Sequence, residues 1–517
     1  MFKKSLPTSV IKKSLLSLLS AFLLFFSWPP IGFPLLSLIA LVPLFYLFAN
    51  LETKKEIYFY SFLSFLVWNI STTFWIMHAS MLGMVLAVLV NTLLMSFVFL
   101  LAFIVKSKFD LKRGWWAMLC FWLCFEYIHL NWELSWPWLT LGNGFSSFPS
   151  LIQWYEYTGV LGGSLWILIS NLFIVQAIDS KKYRYSSLFV VLVPIIISFS
   201  VSDNIAKSHI QKFVVVQPNI DPYFEKFNSL SSDQQLDKFI DLALSQIDST
   251  TNYLIGPETA ITENLWESNI EKSSSIIKLN NLINQYPNLQ ILLGATTFKR
   301  YKTKATSTAR AFTNVDLYYD MFNSALFINK TGVEIYHKSK LVQGVEFMPF
   351  ESVLGHLDFL SIDLGGIPGS LGTQEYRSVF SKDSTRIAPI VCYESIYGEY
   401  VSEFVRNGAN VLTIITNDGW WKDTPGYLQH LDYARLRAIE TRKSIVRSAN
   451  TGISAFIDPL GNIIDQTDWD QEAVISSEIA VVNENTFYVK YGDYIGRLAS
   501  FLSVFFICFL IANKKKK

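Results

Sequence analysis

The sequence predicts a multi-span α-helical membrane domain of about eight helices joined to one layered α/β domain. Three observations carry that expectation. Of 517 residues, 51% are hydrophobic and only 16% charged, against roughly 25% charged in an ordinary soluble domain, which excludes a simple cytosolic globule. Eight apolar runs approach the length needed to cross hydrocarbon. Between Phe213 and Ile457, strand-like and helical stretches alternate instead. The net charge of +1 excludes the overall basic excess of a nucleic-acid binder. That sum hides two opposites: residues 201–490 hold 25 basic and 34 acidic side chains, a net of −9, and the flanks hold 18 and 8, a net of +10.

Crossing about 30 Å of hydrocarbon takes roughly 20 residues. The candidate spans are residues 14–29, 33–48, 58–77, 82–105, 115–129, 158–178, 186–201 and 494–512. Lys and Arg concentrate on the cytoplasmic side of short connections. One alternate set of connections carries 17 of them: Lys3, Lys4, Lys12 and Lys13; Lys54 and Lys55; Lys106, Lys108, Lys112 and Arg113; Lys181, Lys182 and Arg184; and residues 514–517. The other short connections, 28–32, 78–83 and 130–157, carry none. Both termini are then expected in the cytoplasm and the large domain outside. The first two runs meet at Trp28-Pro29-Pro30 and are either two crossings or one re-entrant hairpin; the sidedness of the rest is the same either way. A basic start before an apolar run also resembles a signal peptide, but no small-x-small cleavage site follows and further spans do.

Glu126 lies inside the fifth apolar run, where a carboxylate is costly. It is either functional or an interior hydrogen-bonded group. Trp132, Trp136, Trp138 and Trp154 crowd the outer connection, as an interfacial aromatic belt would, with lipid handling as the other reading.

In the outer domain the pattern reads strand 213–217, helix 232–247, strand 253–255, helix 270–285 and strand 289–294. After strands 325–328 and 387–392 come helix 395–407, strand 411–416, helix 427–442 and strands 445–448 and 454–457, the last followed by the turn signal Asp458-Pro459-Leu460-Gly461-Asn462. Such alternation argues for a layered α/β domain, which places its chemistry at strand ends. Three ends are polar: Gly256-Pro257-Glu258, Cys392-Tyr393-Glu394 and Asn417-Asp418-Gly419.

Of four cysteines, Cys120, Cys124 and Cys508 fall in apolar runs, which leaves Cys392 as the lone thiol of the outer domain. It has no partner there for a disulfide, so it is either a nucleophile or a small buried hydrophobe. His209, His337, His356 and His430 show no metal-ligand spacing. Neither a nucleophile-elbow serine motif nor a phosphate-cradling glycine loop is present.

Glu258 in Gly-Pro-Glu-Thr-Ala, Lys338 in Tyr-His-Lys-Ser-Lys-Leu-Val, and Cys392 in Val-Cys-Tyr-Glu follow one another as an ordered Glu, Lys, Cys series. This series resembles the nitrilase, or carbon-nitrogen hydrolase, superfamily. The flanking spans, Val-Val-Gln217-Pro-Asn-Ile and Thr416-Asn-Asp-Gly-Trp-Trp421 narrow the resemblance, over essentially the full length, to the apolipoprotein N-acyltransferase family. It implies a nitrilase-like αββα sandwich over residues 201–490, outside the membrane, with 1–200 as a transmembrane domain of about seven spans and 491–517 as a last span and basic cytoplasmic tail.

The resemblance also implies a bacterial inner-membrane enzyme whose catalytic domain is periplasmic. It would move an acyl chain from a membrane phospholipid onto Cys392 as a thioester, then to the N-terminal amine of a diacylglyceryl-modified lipoprotein, in ping-pong fashion and without a cofactor or metal. Glu258 is then the general base, and Lys338, with a backbone N–H beside the cysteine, stabilises the oxyanion. Glu346, Tyr393, Glu394, Asn323 and, loosely aligned, Phe227 match supporting or substrate-lining positions; otherwise they are ion-pair or packing residues. Leu341-Val-Gln-Gly-Val-Glu346 departs from the family's Leu-Val-Pro-Phe-Gly-Glu, so the path of that loop is open. A helix N-cap is the bland account of Asp418. Two other readings remain at this level: a membrane-tethered nitrilase-type amidase, and a transporter or channel with an outer sensor domain.

Overall fold

In the computed structural model, which describes residues 9–201, 208–226, 229–350 and 370–512, the chain divides into two compact units. One is Met1–Asn204 with Tyr491–Lys517, the other Ile205–Lys490. The first is helical. Among the described residues, six helices are long and apolar enough to cross a membrane: Val10–Ser27, Lys54–His78, Met81–Lys108, Tyr155–Asp179, Lys181–Val201 and Tyr494–Ala512. The last carries Phe501, Val504 and Phe505 exposed, as a lipid-facing surface does.

Two of the eight expected spans are not among these six. Residues 33–48 do not make one helix: the turn Pro34–Leu36, the single turn Ser37–Ala40 and the helix Val42–Asn50 follow one another. Proline lacks the N–H that a continuous helix needs, and Pro34 and Pro43 sit where new turns begin. Asn171 satisfies the break from the side, accepting from Leu41 N at 2.7 Å and donating to Ser37 O at 2.8 Å. Residues 115–129 lie inside Leu111–Asn131, which at 21 residues is long enough. Lys112, Arg113, Glu126 and its tryptophans dilute its apolarity. Glu126 is buried and accepts from Trp122 Nε1 at 2.9 Å and Leu141 N at 2.8 Å, so it is an interior hydrogen-bonded group.

The second unit is a sandwich of two sheets between helices. Its strands are β1 His209–Gln217, β2 Tyr253–Ile255, β3 Ile261–Trp266, β4 Gln290–Tyr301, β5 Arg310–Ala311, β6 Tyr318–Asn329 and β7 Gly332–His337. Then come β8 Phe380–Lys382, β9 Thr385–Val391, β10 Val411–Thr416, β11 Ser444–Ala449, β12 Ala455–Ile457, β13 Ile463–Gln466 and β14 Ala473–Val481. Among the described residues, one sheet runs β14-β1-β2-β4-β6-β5, with β3 also on β4 and β7 on β6; the other runs β13-β12-β11-β10-β9-β8. Helices Ser232–Leu244 and Ser274–Gln285 cover the outer face of the first sheet, burying Leu236, Phe239, Leu279 and Ile283 against Val214, Leu254, Ile291 and Leu326. Helices Gly398–Arg406 and Pro425–Thr441 pack on the second.

The inner faces meet where β1 packs on β11 and β6 on β9. Strands β9, β10 and β11 pair in parallel. Buried on both faces, β10 and β11 are wholly interior, as central parallel strands must be. Their carboxyl ends therefore open together at one rim of the sandwich.

Candidate active site

Glu258 follows β2 on a turn that lies directly against β4. Gly294 of β4 makes room for it: a Cβ there would stand 2.7 Å from Glu258 Cα and 2.4 Å from Thr259 N. Gly294 N also donates to Pro257 O at 2.9 Å. Thr259 takes a positive φ of 52° to complete the turn. Lys338 follows β7, and its backbone N–H bonds Asn323 O of β6 at 2.8 Å, extending the ladder by one residue.

These elements bring four side chains together. Lys338 Nζ donates to Glu258 Oε1 at 3.1 Å and to Glu346 Oε1 at 2.9 Å. Asn323 Nδ2 donates to the same two oxygens, at 2.8 and 2.9 Å. Two carboxylates are thus bridged twice, by an ammonium and by an amide, and Lys338 is 1% exposed. Asn323 Oδ1 has no partner among the described residues. The loop to Glu346 closes on itself: Glu346 N bonds Val342 O at 2.9 Å and Glu346 Oε2 accepts Val342 N at 2.8 Å. Gly344, at φ 75°, supplies the left-handed residue that this turn requires. A different turn sequence therefore still delivers the carboxylate.

Cys392 stands just past the end of β9, opening the tight turn Cys392–Ile396 with φ 50°. A positive φ on a residue with a Cβ costs on the order of 1–3 kcal/mol and persists only where its surroundings impose it. Here Glu394 and Ser395 do so. Glu394 Oε2 accepts Val391 N at 2.9 Å and Ser395 Oγ donates to Cys392 O at 2.7 Å. The other oxygen of the fully buried Glu394 accepts from Tyr336 OH at 2.8 Å, Tyr400 OH at 2.6 Å and Ser339 N at 2.7 Å. One carboxylate therefore ties the segment after Lys338 to the cysteine turn. Tyr393 is buried with its ring edge-on to Tyr397 at 5.2 Å. Phe227 lies outside the described residues.

The charges decide the resting protonation. Burial pushes the Cys392 thiol far up, Glu258 adds to the rise and Lys338 opposes it. Burial also disfavours the Glu258 carboxylate, but Lys338, the Asn323 hydrogen bond and Lys226 outweigh it and hold the carboxyl below its ordinary value. Burial works against the Lys338 charge, yet Glu258 and Glu346 raise it well above an ordinary lysine. The resting state is a neutral thiol beside an ionised carboxylate and a fixed cation. Any step that needs ionised Glu258 is accordingly expected to lose rate on the acid side only below about pH 4.5, the ordinary value for that carboxyl. The stability from its pairing is present above that pH and falls as the pH drops through the lower folded value. A pH profile of Cys392 acylation checks this, and an acid limb near pH 6 would contradict it.

Several contributors were not read from the sequence as part of this site. Lys226 is buried, with Nζ 3.2 Å from Glu258 O; burial lowers its pKa to about 8, with Glu258 opposing. Asp418 is not a helix N-cap. Its carboxylate is buried between His430 Nδ1, at 2.9 Å, and Arg447 Nη2, and accepts from Thr416 Oγ1 at 2.8 Å. The motif Thr416-Asn-Asp pointed at this corner, but His430 and Arg447 reach it from other elements.

A cysteine at a strand end, a carboxylate and a lysine that follow two strands of one sheet, and paired sheets between helices define the class. Residues 215–484 match the family model described as carbon-nitrogen hydrolase, and the chain belongs to that family. Residues 20–173 match the model described as the apolipoprotein N-acyltransferase N-terminal domain. The apolipoprotein N-acyltransferase of Chlorobaculum tepidum is 28% identical over 100% of this chain and 99% of its own length. That of Geobacter metallireducens is 27% identical over 93% and 91%. The chain is thus similar along its whole length to apolipoprotein N-acyltransferases, as its motifs led one to expect, and is a bacterial membrane protein. Among solved structures, the nitrilase-superfamily member Nit3 of Saccharomyces cerevisiae matches 53% of this chain and 91% of its own, at 18% identity and a TM-score of 0.38.

Proposed function

We propose that this chain is an acyltransferase that takes an acyl group from a membrane phospholipid onto Cys392 and passes it to the N-terminal amine of a diacylglyceryl-modified lipoprotein. The observation that carries the reading is the doubly bridged Glu258–Lys338–Glu346 cluster, whose Glu258 and Lys338 charges both act on the Cys392 thiol. Because that thiol is neutral at rest, attack on the ester carbonyl is coupled to proton transfer from sulfur to Glu258. Lys338 and a backbone N–H beside Cys392 take up the oxyanion charge. Collapse breaks the ester C–O bond; the lysophospholipid oxygen leaves with the proton held by Glu258, and a thioester remains. The acceptor amine attacks it, gives its proton to Glu258, and the cysteine sulfur leaves and recovers the proton.

Sequence alone supports the sidedness: basic residues confined to alternate connections favour cytoplasmic termini and a periplasmic catalytic domain in the inner membrane. The test is to trap the intermediate. Purified protein incubated with acyl-labelled phospholipid is expected to gain label on Cys392 that hydroxylamine removes and that a diacylated lipopeptide discharges. Cys392→Ser is expected to lose at least about 10³-fold of that labelling, since the alcohol is a far weaker nucleophile without a matched base. Equal labelling of the variant would overturn the proposal. Release of ammonia from small amides without lipopeptide acylation would make the chain an amidase instead.

A further inference from the structure

Cys392 has a second neighbour that acyl transfer as written does not use. Strands β9 and β10 pair in parallel with Val391 opposite Ile415, so the next residue of each, Cys392 and Thr416, stand side by side. Thr416 Oγ1 is 3.2 Å from Cys392 Sγ and 2.8 Å from Asp418 Oδ1, with Thr416 and Asp418 fully buried. A hydroxyl carries one proton and donates once. Asp418, flanked by the Arg447 guanidinium and by His430 Nδ1, is ionised and accepts only. The shorter, charge-assisted bond takes the hydroxyl proton. Thr416 then faces the sulfur with a lone pair, and the donor across that 3.2 Å contact is the thiol.

We propose that Thr416 is a two-position switch: at rest its hydroxyl donates to Asp418 and accepts the Cys392 S–H, and when that proton leaves for Glu258 the hydroxyl turns to donate to the thiolate. The inference rests on the acyl-transfer reading in taking Cys392 as nucleophile and Glu258 as base. The balance is simple. One proton passes from sulfur to the Glu258 carboxylate, the Thr416 proton stays on Thr416 and changes acceptor, and no bond to carbon is involved. Asp418 gives up one of its hydrogen bonds and keeps Arg447 and His430, which is why the turn is affordable at that moment. Thr416 is thus a positioning residue: it parks the thiol proton at rest and supplies a donor only after ionisation. The other charged or titratable groups that act on this sulfur are Glu258 beyond β2, Lys338 beyond β7 and Asp418 beyond β10, while His430 Nε2 faces the Cys392 carbonyl at 3.2 Å.

The experiment is the pH dependence of Cys392 alkylation by iodoacetamide in the full-length protein, read by mass spectrometry at the Cys392 peptide, beside the rate of phospholipid-driven labelling. Thr416→Val is expected to lower the alkylation rate about tenfold at each pH between about 7 and 9.5, the size of a hydrogen bond to a charged group, and to slow labelling about tenfold. Thr416→Ser is expected to restore both to within about twofold. A valine variant alkylated at the wild-type rate across that range, or a serine variant as impaired as valine, overturns the switch. The resting half is checked without any Thr416 variant: in the infrared difference between wild type and Cys392→Ser, the S–H stretch is expected at hydrogen-bonded frequency, and a free-thiol frequency overturns it. A wild type that takes no label at Cys392 defeats the acyl-transfer reading itself, whereas a labelled wild type with unchanged alkylation rates in the valine variant defeats only the switch.

Discussion

Lys338→Met is expected to reduce Cys392 acylation by at least about 10³-fold and to destabilise the α/β unit by about 3–5 kcal/mol at neutral pH, the usual cost of stranding one half of a buried ion pair. Methionine fills a similar volume, so the loss is one of charge. Without the ammonium, the Glu258 and Glu346 carboxylates remain joined through Asn323 Nδ2 alone. One of them then has to take up a proton, and a protonated Glu258 no longer serves as base. The oxyanion also loses its cationic partner, which alone is worth about 10²–10³ in rate.

The pH dependence of stability gives this variant a signature. In the wild type Glu258 titrates below its ordinary value because Lys338 faces it. In the variant burial dominates, its folded pKa rises above the unfolded one, and the destabilisation is absent at acid pH and grows as the pH passes upward through the unfolded value. Thermal unfolding in detergent at about pH 4 and pH 7.5 separates the cases. A deficit equal at both pH values would mean that packing, not the stranded carboxylate, sets the cost.

Three parts of this site are legible in the sequence for one reason: each is a polar side chain interrupting an apolar strand end. Glu258 after Tyr253–Ile255, Cys392 after Thr385–Val391 and Asp418 just beyond Val411–Thr416 stand out that way because a parallel strand buried on both faces leaves few places for polar residues. Their partners lack any such mark. Glu394 reads as the neighbour of a cysteine, but its work is to gather Tyr336, Ser339 and Tyr400 from segments up to 58 residues away. His430 enters the sequence reading only as a residue without metal-ligand spacing, and Arg447 only as part of the strand 445–448; their pairing with Asp418 depends on how the helix Pro425–Thr441 packs on the sheet and how β11 pairs with β10.

The strands that escaped the sequence pattern, among them β3, β5, β7 and β14, are two to nine residues long and half exposed. Without a continuous apolar run they resemble loops until a neighbour pairs with them. The membrane unit shows the reverse error. Residues 33–48 are apolar enough to suggest a span, but hydropathy does not register that Pro34 and Pro43 restart the backbone.

Asn323→Asp is the smallest change expected to have a large effect, because it exchanges two donors for a third carboxylate at a point where two already meet. Asn323 now offers both hydrogens of one amide, to Glu258 Oε1 at 2.8 Å and Glu346 Oε1 at 2.9 Å. Among the described residues, Lys338 is the single cation hydrogen-bonded to both. An introduced aspartate turns a pair of carboxylates sharing one ammonium into three, and like charges at hydrogen-bond distance do not all stay ionised. A proton enters the cluster, Glu258 is pushed away from Lys338, and acylation of Cys392 is expected to fall about 10²- to 10³-fold at pH 7.5. Lowering the pH lets the introduced carboxyl protonate and donate once, so part of the rate returns towards pH 5.5. Asn323→Leu keeps the branched shape with the same number of heavy atoms and carries no charge. Its loss comes from two missing donors, is expected to be smaller, about tenfold, and does not change with pH over that range. Measuring both variants across pH separates charge from shape: if the aspartate and leucine variants lose rate in parallel at every pH, Asn323 supports the two carboxylates by packing and not as their shared donor.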